Sequence, residues 1–130
     1  MRITTQLEVT NETIRDLMCC AFEGGSNYWY TGMERGNPSI EPVSKELQKD
    51  WSWPYLLPTT GGSVTFSDAY ELEDGKVVTY TLDGESIKRG LSVMSEKFPN
   101  RFSDIINEDM DANTGDVFLQ CCVFSDVIYG

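Results

Sequence analysis

Residues 63–82 read SVTFSDAYELEDGKVVTYTL, two strand-like runs that flank an Asp-Gly pair. Asp-Gly is a favoured two-residue turn between antiparallel strands, because both residues tolerate a positive φ. The pattern predicts a β-hairpin with strands at Ser63–Leu72 and Lys76–Leu82, closed by Glu73-Asp74-Gly75. Antiparallel pairing is therefore expected in the sheet of this protein.

A helix is predicted directly after the hairpin. Asp83 can cap its first turn, and Pro99 marks its end at about Lys97. The apolar side chains between them recur at helical spacing, at Ile87, Leu91, Met94 and Phe98. A further helical segment is indicated by Phe102, Ile105 and Ile106.

The N-terminal segment predicts one strand and one helix. Residues 2–9 alternate loosely between polar and apolar side chains, which is the period-two pattern of a half-buried strand. Thr10 or Asn11 then offers an N-cap, and Gly24-Gly25 can end the helix that follows. The apolar residues of this helix share one face: Ile14, Leu17, Met18, Ala21 and Phe22.

The segment between this helix and the hairpin is aromatic and interrupted. Residues 26–33 are strand-like, whereas the glycines and prolines from Gly32 to Pro42 predict an irregular loop. Ser44 can cap a short helix that runs to about Lys49. Residues 51–58 form an apolar, proline-interrupted connector that we expect to cover one face of the core.

The C-terminal segment begins with a polar, acidic loop at Asn107–Asp116. Apolar residues from Val117 to Phe124 favour a last helix that begins near Thr114, with a buried strand over the same residues as the alternative. The order of elements predicts an α+β fold. We expect a single small domain over residues 1–130, in which an antiparallel sheet with a hairpin packs against three to four helices.

The chain contains no histidine, which excludes Ser-His-Asp and Cys-His catalysis and every zinc site that needs histidine. Its four cysteines form two adjacent pairs, Cys19-Cys20 and Cys121-Cys122, within apolar runs and without CxxC spacing. Free thiols packed in the core are the simpler interpretation. The loop from Asp109 lacks the glycine and glutamate of an EF-hand, and no phosphate-binding glycine motif occurs. We predict no catalytic residue, no metal and no cofactor.

Acidic side chains outnumber basic ones by 21 to 10, which gives a formal net charge of −11. Residues 1–66 carry eight acidic and five basic side chains, and residues 67–130 carry thirteen and five. Such a field repels nucleic acid and anionic membranes and attracts basic surfaces, although solubility alone is an alternative reason for it. No run reaches the roughly 20 apolar residues of a membrane helix, and the start lacks a secretory signal, so a cytoplasmic protein is expected.

Aromatic residues are dense in the first half of the chain. Such side chains fill cores, but they also stack on bases and anchor interfaces. A phosphorylated ligand would need cations close by, and Arg35 and the pair Lys88-Arg89 offer them. With ordinary core packing as the alternative, the predicted ligand-binding residues are Tyr28, Trp29, Tyr30, Arg35, Trp51, Trp53, Lys88 and Arg89.

A second candidate surface is acidic and lies in the predicted loop before the last helix. Its residues are Glu108, Asp109, Asp111 and Asp116. A solvated helix entry and a patch for a basic partner both account for such a cluster. The sequence leaves both interpretations open.

Two stretches carry a family resemblance: LMCCAFEGGSNYWY at Leu17–Tyr30, and DANTGDVFLQ at Asp111–Gln120 with the ending VIYG at residues 127–130. Together with Gly90-Leu91-x-x-Met94, they make the chain resemble a family of uncharacterised small proteins carried by bacteriophages and other mobile elements. Phe124-Ser125-Asp126 departs from the glycine-acid pair expected near the end.

The resemblance implies a function by context. Small accessory proteins of this kind resemble inhibitors of bacterial immunity, which act in the host cytoplasm. The leading hypothesis is non-catalytic sequestration of a nucleotide immune signal by the aromatic residues. Alternatively, the acidic patch blocks a basic, nucleic-acid-binding surface of a defence protein. A third hypothesis is an enzyme that processes nucleotides or sugars with Glu23, Asp111 or Asp116 as acid or base, and a homo-oligomer is left open.

Overall fold

The computed structural model describes residues 1–43, 45 and 52–130, and it shows an α+β fold. The helices are α1 (Asn11–Cys20), α2 (Trp53–Leu56), α3 (Gly84–Lys97), α4 (Pro99–Ile106) and α5 (Ala112–Phe124), and the strands are β1 (Tyr30–Arg35), β2 (Val64–Glu73) and β3 (Lys76–Leu82). A π-helical turn at Ala21–Gly25 extends α1, and a 3-10 turn at Leu57–Thr59 extends α2. The predicted fold class is confirmed, with five α-helices among the described residues.

The predicted hairpin is confirmed. Asp74 and Gly75 have φ of 52° and 76°, the two positive values that a two-residue turn between right-twisted strands requires. Glu73 pairs with Lys76 across this turn, and β1 joins the free side of β2 to complete an antiparallel sheet in the order β1-β2-β3. A register shift between Ser67 and Leu72 marks a bulge in β2.

The first strand begins later than the sequence predicts. Residues 26–33 are predicted as strand-like, but Ser26–Trp29 form tight turns in which Trp29 N donates to Ser26 O at 3.0 Å. The strand itself runs from Tyr30 to Arg35. These turns lead the chain from α1 into the sheet and place Trp29 in the core.

The helix predicted after Thr10 is confirmed. The Thr10 side chain accepts from Thr13 N at 3.2 Å, as an N-cap should. The predicted apolar face is buried in the core, where α1 packs against α5, and consists of Ile14, Leu17, Met18, Ala21 and Phe22. The predicted end at Gly24-Gly25 coincides with the π-helical turn.

The helices after the hairpin follow the prediction, except in where the last helix begins. Asp83 caps α3 by accepting from Ser86 N at 2.9 Å, and α4 begins at Pro99. The alternative of a buried strand at 117–124 is wrong, because α5 occupies these residues. The helix α5 begins two residues before the predicted start near Thr114, so the loop predicted to run to Asp116 ends at Asp111. Asp111 accepts from Thr114 N at 2.9 Å, so its carboxylate starts the helix at Ala112.

The strand predicted at residues 2–9 is wrong. This segment has no regular secondary structure, and neither edge of the three-stranded sheet pairs with it. Ile3 and Leu7 are 78% and 55% exposed. A strand needs a neighbour to satisfy its backbone groups, and an alternating pattern cannot supply one.

The predicted helix from Ser44 to Lys49 lies outside the described residues, apart from Lys45. The apolar connector predicted at residues 51–58 contains α2 and most of the following 3-10 turn, with Trp51 outside the described part. Tyr55 and Leu56 are buried, which agrees with the predicted role of this connector in covering the core.

Candidate functional site

The segments that carry the family resemblance lie against one another. A side chain at Gly25 would collide with the backbone of Ala112, and one at Gly115 would lie 2.6 Å from the backbone nitrogen of Ala21. Each segment therefore contributes a glycine that lets the other approach at backbone distance. This contact brings the start of α5 next to the turns that follow α1.

Asp116 is the centre of this contact. Its Oδ1 accepts hydrogen bonds from Ser26 Oγ and from Trp29 Nε1, both at 2.8 Å. Its Oδ2 accepts from the Tyr28 hydroxyl at 2.7 Å and from Gln120 Nε2 at 3.2 Å. Four neutral donors thus occupy a half-buried carboxylate, and a partner would have to displace one of them to bind it.

Gln120 fixes the last residues to α5. Its Oε1 accepts from the backbone nitrogens of Ile128 and Tyr129 at 2.8 and 2.9 Å, and its Nε2 donates to Tyr129 O at 3.2 Å. The side chain of Gln120 is fully buried, so these bonds replace the water that its amide would otherwise need. The chain is held down as far as Tyr129.

A second carboxylate, Asp68, lies at the other end of the hydrogen-bonded group that contains Asp116 and Gln120. It is only 1% exposed. It accepts hydrogen bonds from the hydroxyls of Tyr80 and Tyr129, both at 2.8 Å, and from Tyr70 N at 2.9 Å. Burial raises the pKa of this carboxyl, but the backbone and tyrosine hydrogen bonds outweigh burial and hold the pKa below its usual value. Burial, together with the hydrogen bond to Asp68, raises the pKa of Tyr129 to about 12.

Trp29 lies between the two carboxylates and is fully buried. Its ring stacks on Tyr129 with centroids 5.5 Å apart and a 21° angle between planes, and it meets Phe66 edge-on at 5.9 Å. Tyr30 is half-buried and donates to Phe22 O at 2.6 Å. Trp29 and Tyr30, two of the predicted ligand-binding aromatics, therefore belong to the core, whereas their neighbour Tyr28, also predicted, is 42% exposed.

The other predicted ligand residues that the structure describes are spread over the surface. Arg35 lies over the ring of Trp53, with its guanidinium carbon 5.0 Å from the ring centroid. Trp51 lies outside the described residues. Arg89 donates to Cys122 O at 2.6 Å, which ties α3 to α5. Lys88 lines a groove that contains none of the other predicted ligand residues for which the structure gives a position.

The predicted acidic residues divide into two kinds. Glu108, Asp109 and Asp111 are exposed in the turn between α4 and α5, and we call these three the acidic turn. Asp111 also caps α5, and the hydrogen bond from Thr114 N lowers the pKa of its carboxyl. Asp116 is not part of this surface, because Ser26, Tyr28, Trp29 and Gln120 occupy it.

The cysteine thiols keep their protons at neutral pH. Burial raises the pKa of Cys19 and of Cys121 to about 11, and it also raises the pKa of Cys20 and Cys122. Cys121 and Cys122 are buried, as predicted, whereas Cys19 and Cys20 are half-buried. Glu23, a candidate acid or base, accepts from Cys19 Sγ at 2.7 Å. Among the described residues, no three His, Cys, Asp or Glu side chains converge in a way that could hold a metal ion.

Sequence reasoning missed Asp68, Gln120, Tyr80 and Tyr129. Two of them carry a detectable signal. Asp68 continues the inward-facing positions of Val64 and Phe66 in β2, and Gln120 interrupts an apolar helical run. A polar residue at an inward position must find partners, so each indicates a buried hydrogen-bond network.

Comparisons of the chain with protein-family models, with curated proteins and with solved structures found no match. None of the helices in the described ranges has the length and apolar character required to cross a membrane.

Proposed function

We propose that the protein acts by non-catalytic binding, with the acidic turn docking on a basic surface of a partner protein. The charge balance carries this proposal. Only two salt bridges occur within the described residues, Lys97–Asp126 at 3.9 Å and Arg101–Asp104 at 3.5 Å, in a chain with 21 acidic side chains. Most carboxylates of the described residues therefore have no counter-ion, and those that are exposed are available to a basic partner.

The acidic turn is suited to this role by its position. Glu108, Asp109 and Asp111 are exposed, and a rigid capped helix follows them. Asp16, on α1, lies close enough for Asp16 and Asp111 both to raise the pKa of Cys20 in addition to burial. Negative charge thus extends from the turn onto α1.

The resemblance to proteins of bacteriophages and mobile elements supports a choice of partner. Such a protein would benefit from blocking the nucleic-acid-binding face of a bacterial defence protein, and that face is basic. The carboxylates would take the place of phosphates there, and the interaction would weaken steeply as salt is added.

Neutralising the acidic turn with E108Q, D109N and D111N is expected to lower partner affinity about tenfold or more, because each exposed ion pair contributes up to about 1 kcal/mol. The measurement is capture of a binding protein from lysate of a defence-carrying bacterium, followed by titration of the identified partner at several salt concentrations. Nucleic acid should compete for the same partner.

The matched control is the triple variant E71Q, E73Q and D74N at the hairpin, which removes the same charge from another place. It should keep most of the affinity. An equal loss of affinity in both triple variants would mean that overall charge, and not the acidic turn, determines binding. Association that does not depend on salt concentration would contradict the proposal.

Sequestration of a nucleotide-type ligand is a second candidate, supported by the contact of Arg35 with Trp53 at 5.0 Å. In such a pair the indole can stack on a base, and the guanidinium can bind a phosphate. Adenine-nucleotide second messengers should then bind with 1:1 stoichiometry in calorimetry, and Trp53→Ala should weaken binding about fivefold or more, since stacking on one base contributes about 1–3 kcal/mol. Tyr70→Ala, which removes an aromatic ring that is 65% exposed, is the control, and absence of binding to the wild-type chain would contradict this candidate.

A further inference from the structure

A groove of about 840 Å³ runs between residues 5–9, α1, the 3-10 turn, α3 and α4. Its size is within the range of small-molecule sites. Apolar side chains form much of its lining, including Leu7, Ile14, Ile87, Leu91, Phe102 and Ile106. Leu7 and Ile106 are each 55% exposed, so the groove presents apolar surface that a ligand would remove from water.

The charge of the groove differs from that of the whole chain. Within the described part of the chain its lining contains one basic residue, Lys88, and one acidic residue, Glu41, whereas acidic side chains outnumber basic ones by 21 to 10 in the full sequence. Lys88 forms no ion pair with any described residue. Arg15 adds a second cation at the edge, where its Nε donates to the groove-lining Thr59 at 3.4 Å. A single anionic group can therefore approach here despite the surrounding field.

The residues that line the groove favour one class of anion over another. Among the described residues that line it, Phe102 is the only aromatic one, and glycine-rich phosphate-binding loops are absent from the sequence. A nucleotide would need stacking surfaces and several phosphate donors, so it is poorly matched. A long apolar body with one charged end matches the apolar walls and the single lysine.

We propose that the groove binds a linear amphipathic monoanion of the fatty-acid class, with the carboxylate at Lys88 and the alkyl chain along Ile87, Leu91 and Phe102. Binding of such a ligand is separate from the docking of the acidic turn, which does not line the groove. The residues that carry it come from α3 and α4, which the family motifs only partly cover.

Decanoate below its micelle-forming concentration is the probe, measured by calorimetry on the complete chain. We expect saturable binding of one decanoate per chain. Lys88→Gln should weaken decanoate binding about fivefold, the effect of losing one exposed ion pair, and should leave binding of uncharged decanol unchanged. Ser92→Trp, which places a large ring in the groove, should abolish binding of both probes.

Lys76→Gln is the matched control, since it removes an exposed lysine at the hairpin turn, away from the groove. It should bind decanoate like the wild-type chain, and circular dichroism should show that every variant is folded. The proposal is overturned if the wild-type chain shows no saturable decanoate binding, if a folded Ser92→Trp variant binds as well as wild type, or if Lys88→Gln and Lys76→Gln bind alike. Binding of an adenine nucleotide that Ser92→Trp abolishes would also overturn it, because the groove would then be a nucleotide site.

Discussion

Asp116→Ala is expected to lower the free energy of unfolding by about 3–5 kcal/mol, since hydrogen bonds to a charged group contribute about 1.5–3 kcal/mol and unpaired buried donors add their own cost. The substitution leaves Ser26 Oγ and Trp29 Nε1 without their acceptor in a part of the chain that is closed to water. It also removes one hydrogen-bond acceptor of Gln120, the residue that holds the C-terminal segment. Urea unfolding followed by tryptophan fluorescence measures the change.

Two further variants test whether the lost stability comes from the hydrogen bonds of Asp116. Asp116→Asn keeps one oxygen acceptor for Ser26 and Trp29 but turns a donor toward Gln120, so it should lie between wild type and Asp116→Ala. Asp109→Ala removes an exposed carboxylate from the acidic turn and should stay within about 0.5 kcal/mol of wild type. If Asp109→Ala and Asp116→Ala were equally stable, the network would not hold the two motif segments together.

Local signals explain the parts of the fold that the sequence predicts correctly. Asp74-Gly75 determines its turn through two φ angles, and Thr10 and Asp83 cap their helices through a hydrogen bond to a residue three positions on. None of these features depends on the rest of the chain. Each can therefore be identified in a short window of sequence.

The errors arise where a distant part of the chain decides the outcome. Residues 2–9 alternate like a strand, but the three-stranded sheet offers them no partner. The helix α5 begins two residues before Thr114 because the Asp111 carboxylate caps it. The loop contains several acidic side chains, and the sequence does not show which of them is the cap. Periodicity identifies the faces of an element and does not fix its neighbours or its ends.

The candidate site shows the same limit. The residue types at Tyr28, Trp29 and Tyr30 suit stacking on a base, yet the fold buries Trp29 completely against Tyr129 and Phe66. Asp116 is acidic and lies near the acidic turn in sequence, yet four internal donors occupy it. Residue chemistry predicts what a side chain can bind, while tertiary packing decides whether a ligand can reach it.

Asp68→Asn is expected to lower the free energy of unfolding by about 2–3 kcal/mol at pH 7, because the hydrogen bonds of a charged acceptor are replaced by those of a neutral amide. The amide oxygen can still accept from the backbone nitrogens of Tyr70 and Glu71, which limits the loss. Glu71→Gln, at an exposed carboxylate three residues along the same strand, should stay within about 0.5 kcal/mol at pH 7.

The difference between wild type and Asp68→Asn should depend on pH in one direction. The folded protein holds the pKa of Asp68 below the usual value of 3.8, so the unfolded chain binds the proton more readily. The stabilisation by Asp68 is therefore complete above the unfolded pKa and is lost as the pH falls through the folded pKa. Urea unfolding of both proteins from pH 7 down to about pH 2 should show two free-energy curves that are parallel above about pH 5 and converge in acid. Curves that stayed parallel throughout, or that diverged in acid, would mean that the tyrosine and backbone hydrogen bonds do not favour the ionised form of Asp68.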